Sequence, residues 1–231
     1  MINRYLKQLS AGLLLAATFN SAALADEQLH KIENAYQAAD SAKLATLSEG
    51  IDGKNLLVAQ YRLISLMLGN QQMEEAKALL NELKANLNTA TQTNPDNAEA
   101  WALMASTFGM LSSMDPEKAM DYGIKAGEAE ARALATGPEN PMVQLLIGIN
   151  KFYTPEQWGG GKVTALKYFD SAVNAYQAGE LDRSWGHADA LVWRGSTHAK
   201  LGNKDQARAD VDAAIAMAPD YQWAKNALNY L

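Results

Sequence analysis

The stretch Thr154-Pro155-Glu156-Gln157-Trp158-Gly159-Gly160-Gly161-Lys162 holds the residues best suited to chemistry. Three glycines beside a lysine, ahead of a helical pattern, could cradle an anion. Backbone N–H groups and a helix dipole would supply the donors, and Lys162 a charge. The stretch is not a P-loop: Glu156 stands where the first glycine of G-x-x-x-x-G-K-[ST] belongs, and Val163 follows the lysine. The same residues suit a long inter-helix turn, in which the glycines take positive φ and Trp158 packs back on the core. In either case a long turn in a compact helical array is a place where function tends to sit.

The remaining chemistry is sparse. His187 and His198 fall eleven residues apart, nearly on one helical face, but that rise is about 16 Å, too far to share a metal. Asp182, His187 and Asp189 are close in sequence and could hold a metal weakly; polar residues at a helix start explain them better. There is no H-E-x-x-H and no G-x-S-x-G. No resident cofactor, metal or catalytic set is expected, and the chain reads as a non-enzyme. Aromatic residues gather late, at Trp158, Tyr168, Tyr176, Trp185, Trp193, Tyr221 and Trp223. Most are expected to pack the core. Trp158 and Trp185, in turns, are the candidates for contact with a ligand or partner. The candidate binding residues are therefore Trp158, Gly159, Gly160, Gly161, Lys162 and Trp185.

Helices must position these groups. Apolar residues recur every three or four positions: Leu29, Ile32, Tyr36 and Ala39; Leu57, Tyr61, Ile64 and Leu68; Ala76, Leu80, Leu83 and Leu87; Trp101, Met104, Ala105, Phe108 and Leu111; Met142, Leu145, Ile149 and Phe152. No stretch alternates with a strand period. Asp115-Pro116-Glu117 reads as a helix start, with a capping carboxylate and proline at the first helical position. Gly69-Asn70, Gly137-Pro138 and Gly202-Asn203 read as stops. About ten helices joined by short loops are expected, in one domain over 26–231.

Residues 1–25 are set aside as a secretory signal peptide. Arg4 and Lys7 precede an apolar run too short to span a bilayer, and Ala23-Leu24-Ala25 is a small-residue cleavage site, with cleavage expected after Ala25. The destination expected is a bacterial periplasm. The whole chain carries a net charge of −6, and losing those two cations takes it to −8. That balance argues against nucleic acid as a partner. No later segment is apolar for long enough to cross a membrane. With no cysteine, disulfides, thiolate metal sites and a lipoprotein anchor are all excluded from this reading, and the core alone must hold the fold.

A repeat underlies the pattern. In Ala188 to Pro219, Gly195 sits in a first helix, Gly202 at the turn, Ala207 and Ala214 seven apart in a second helix, and Pro219 at the end. Small residues at these places let two antiparallel helices approach closely, and the proline ends the second one. Gly148, Ala165, Phe169 and Ala172 repeat the order upstream, with five extra residues in the turn around Thr154 to Gly161. Ala105, Phe108, Ala119 and Ala126 repeat it less well, since Gly123 stands where a large apolar residue is expected. This resembles the tetratricopeptide repeat. The best units cover 142–176 and 188–219, weaker ones 98–134 and 55–90, and 221–231 would cap the stack. The resemblance implies an all-α, right-handed solenoid of antiparallel helix pairs that binds a protein or peptide partner along its inner groove. The alternative is an accessory component of a solute transport system, holding a small apolar or anionic ligand.

Overall fold

The computed structural model describes residues 24–179 and 185–230; the signal-peptide reading falls almost wholly on 1–23, outside them. The described residues are all-helical. A first helix (α1) occupies 24–37. It is followed by α2 (Ser41–Ser48), α3 (Gly53–Gly69), α4 (Met73–Thr93), α5 (Ala98–Met114), α6 (Ala119–Thr136), α7 (Pro141–Tyr153), α8 (Lys162–Ala178), α9 (His187–Lys200), α10 (Lys204–Met217) and α11 (Gln222–Ala227). A single 3₁₀ turn, Glu156–Trp158, lies between α7 and α8. The described residues thus hold eleven α-helices where about ten were expected.

Local chemistry sets the boundaries. Asn140 caps α7 through its Oδ1, which accepts from the N–H groups of Met142 and Val143, with Pro141 at the first helical position. Asn97 caps α5 in the same way, accepting from Ala100 N at 3.1 Å. One start differs from expectation. Asp115 ends α5 instead of opening α6, residues 116–118 form a turn, and α6 begins at Ala119. Asp115 O accepts from Lys118 N at 3.1 Å, which closes that turn before the next helix can propagate.

Helices pack in consecutive pairs: α3 with α4, α5 with α6, α7 with α8, α9 with α10. Small residues make the pairs close. A Cβ on Gly148 would lie 2.6 Å from Phe169 Cε1, so only glycine lets α7 and α8 meet over that ring. Phe169 is fully buried and stabilises the pair by about 2–3 kcal/mol. A Cβ on Gly195 would come within 3.0 Å of Ala207 O, and Ala207, Val211 and Ala214 are buried beside it. Gly123, by contrast, has nothing within 4 Å of an added Cβ. First helices of successive pairs also touch, α5 with α7 and α7 with α9, and α9 in turn touches α11, forming one continuous row.

Candidate functional site

Two features stand out: a buried charge cluster that joins α1 and α3 to α9, and an aromatic face beside it on α7, α9 and α11. The cluster centres on Arg62 of α3. Its Nε and Nη2 donate to the two Glu33 oxygens at 2.7 Å each, and Nη1 and Nη2 donate to Asp189 at 3.2 and 2.7 Å. Asp189 also accepts from the Tyr221 hydroxyl at 2.6 Å and from that of Tyr36 at 3.2 Å. The guanidinium is sandwiched 4.0 Å from the Tyr36 ring centre and 4.7 Å from that of Trp185. Arg62 and Asp189 are 3 % and 2 % exposed. Helices α1, α3 and α9 and Tyr221, the residue just before α11, therefore meet through one group, which ties the first helices to the last.

The charges are unequal, two carboxylates against one guanidinium. Burial drives the Glu33 carboxyl above its ordinary value, with Arg62 opposing. Burial alone would lower Arg62, but Asp189 and Glu33 more than reverse it and hold it well above its usual value. Burial, reinforced by Asp189, also raises the Tyr36 and Tyr221 phenols. Every member is taken up by its neighbours, so the cluster acts as a fastening and offers no free acid, base or nucleophile. A raised Glu33 means that the folded state binds a proton more tightly than the unfolded one. Its contribution is full below the unfolded value near 4.3 and is lost as pH rises through the folded value. Urea titrations across this range should show wild-type stability falling with rising pH by a component that Glu33→Gln lacks; parallel pH profiles would contradict it.

The aromatic face begins where the cluster ends. The Tyr36 ring lies 6.0 Å from Tyr221, Tyr221 6.0 Å from Trp223, and Trp223 5.0 Å from Trp193. Trp193 then meets Phe152 at 5.4 Å and Tyr153 at 5.9 Å, both edge-on, and stacks on Phe169. Tyr221 and Phe152 are buried, Trp193 and Trp223 half-buried, and Tyr153 is 71 % exposed. Helices α7, α9 and α11 thus present a tyrosine and two tryptophans side by side, one exposed and two half-buried.

The residues singled out from sequence are not brought together. Trp158 is 75 % exposed in the α7–α8 turn. The three glycine N–H groups are taken up inside that turn: Gly159 donates to Glu156 O, Gly160 to Pro155 O, and Gly161 to Lys151 O and Thr154 O. Lys162 folds inward, its Nζ 2.5 Å from Phe152 O and 3.7 Å from the Phe152 ring centre. Gly159 and Gly161 have φ of +78° and +96°, as a tight turn requires. Trp185 is buried against Tyr61 and Arg62, and its Nε1 has no partner among the described residues. Asp189 serves Arg62, His187 stacks on Tyr176 at 4.8 Å with its pKa lowered by burial, and Asp182 lies outside the described residues. Among the described residues no cluster of His, Asp and Glu could hold a metal ion, and no helix is long and apolar enough to cross a membrane.

Solved structures share this fold. The TTC0263 protein of Thermus thermophilus, a thermophilic TPR protein, superposes with a TM-score of 0.57 over 89 % of this chain and 98 % of its own, at 16 % identity. The fold is tetratricopeptide-like. The HusA haemophore from Porphyromonas gingivalis superposes with a TM-score of 0.54 over 78 % of this chain and 93 % of its own, at 27 % identity. No protein-family profile matches the sequence, and no curated relative does.

Proposed function

We propose that this protein binds, without catalysis, a flat apolar ligand of the haem class against Tyr153, Trp193 and Trp223. The carrying observation is the row of partly exposed rings on α7, α9 and α11, in contact with one another and next to the buried Tyr221 and Phe169. A flat macrocycle gains both apolar area and ring stacking on such a face. The likeness to the HusA haemophore over most of both chains supports it. The first 25 residues support export, so the working compartment is the periplasm. There the protein would act as a carrier, or as an accessory to solute uptake.

The test is a titration of haemin into the full chain from residue 26 onward. Tryptophan emission should be quenched and the Soret band shifted to saturation. Tyr153→Ala removes an exposed anchor and should weaken binding by about 2 kcal/mol, roughly 30-fold, while Trp158→Ala leaves it unchanged. An unshifted Soret band with unquenched emission would sink the proposal. A second reading, a protein or peptide partner, draws on the tetratricopeptide-like fold and on Met120 and Ile124, which α6 leaves exposed. A partner whose binding is lost in Met120→Glu and kept in Tyr153→Ala would favour it.

A further inference from the structure

A cleft of about 380 Å³ opens between the start of α3, the end of α4 and the start of α5, apart from the charge cluster and the aromatic face. That volume lies at the small end of ligand sites. Its floor is apolar and buried, formed by Leu57, Val58 and Leu103. Three side-chain amides line its wall, and the fold engages one half of each. Asn97 Oδ1 caps Ala100 N, Asn94 Oδ1 accepts from Asp96 N, and Asn86 Nδ2 donates to Gln60. The other halves, two donors and one acceptor, have no protein partner among the described residues. At the rim Lys54 pairs with Glu99 at 2.9 Å, and Asn140 Nδ2 holds Glu99 from behind at 3.3 Å.

We propose that this cleft binds a free amino acid with an apolar side chain. The lining carries one cation and one anion, so a ligand of net charge leaves one of them unmatched. An uncharged ligand must part the pair and replace neither charge. A zwitterion replaces both, with its carboxylate on Lys54 and its ammonium on Glu99. The helix ends agree in sign: α3 and α5 begin at the cleft and α4 ends there, so positive and negative dipole ends face it together. The unengaged amide halves add hydrogen bonds to the same polar head. A side chain of leucine size is then directed at Leu57, Val58 and Leu103.

The probes are L-leucine, N-acetyl-L-leucinamide and L-glutamate, each titrated calorimetrically into the full chain. Emission of Trp101, which follows the cleft residue Ala100, is read in parallel. Saturable binding of L-leucine is expected, at least tenfold weaker in Lys54→Met and in Glu99→Gln. Circular dichroism should show both variants folded, since Lys54 is exposed and glutamine keeps the Asn140 contact. The capped leucinamide and glutamate should bind at least tenfold more weakly than leucine. Capped leucinamide binding as tightly as leucine would make this a groove for peptide backbone and overturn the proposal. So would leucine failing to saturate at millimolar concentration. Haemin titration of the same two variants reads the aromatic face separately, and neither result depends on the other.

Discussion

Arg62→Ala is expected to cost about 3–5 kcal/mol of folding stability, read as a lowered urea midpoint, because it strands Glu33 and Asp189 in the interior without their cation. The loss is larger than the worth of the ion pairs themselves. Most of it is the penalty for two carboxylates that water cannot reach. The control follows from the same physics. Arg62→Met combined with Glu33→Leu and Asp189→Leu removes all three charges and fills similar volume, leaving only the Tyr36 and Tyr221 hydroxyls without their acceptor, so it should sit closer to wild type than the single variant does. If the single variant fails to fold, the triple variant still carries the test. A triple variant as unstable as the single one would contradict the account by stranded charge.

The second large effect is expected at Gly160. A Cβ there would stand 2.1 Å from Thr154 O and 2.5 Å from Thr154 Cβ. The obstacle is backbone, which cannot swing aside, and the Gly160 and Gly161 N–H bonds pin the turn on both sides. Gly160→Ala should destabilise by about 3 kcal/mol. Its neighbour gives the contrast: Gly159 has φ of +78° and open space around it, so Gly159→Ala incurs only the strain of the left-handed backbone, about 1 kcal/mol. Equal losses in thermal melts of the two variants would contradict the steric account. The ordering also separates the turn's structural role from anion binding, since alanine at either position keeps the N–H group.

Much of the fold was legible in the sequence because it depends on local spacing. Gly148, Gly195, Ala207 and Ala214 are small where two helices must touch, and that requirement repeats at a readable interval. The Asp115-Pro116 start was misplaced because a proline suits a turn as well as a first helical residue, and only the Lys118 to Asp115 bond decides between them. The charge cluster was not legible. Glu33, Arg62 and Asp189 are separated by 29 and 127 residues, and nothing local tells one buried charge from a solvated one. A faint signal existed: Arg62 is the sole charge between Leu56 and Leu68, in a run otherwise suited to the interior. Trp185 drew notice for lying in a turn, which says nothing of burial. Trp193 lies mid-helix, where spacing alone reads as core, yet it stays partly exposed between rings of α7 and α11.

The link from Arg62 to Asp189 also bears on how such a chain can change over generations. An open array tolerates the duplication or loss of a unit, since each unit touches only its neighbours. Here an added helix pair between α4 and α9 would carry Asp189 away from Arg62 and leave the Asp189 carboxylate buried without its cation, while Arg62 kept only Glu33. The number of pairs is thereby locked, and descendants of this sequence are free to drift within their helices while keeping their count.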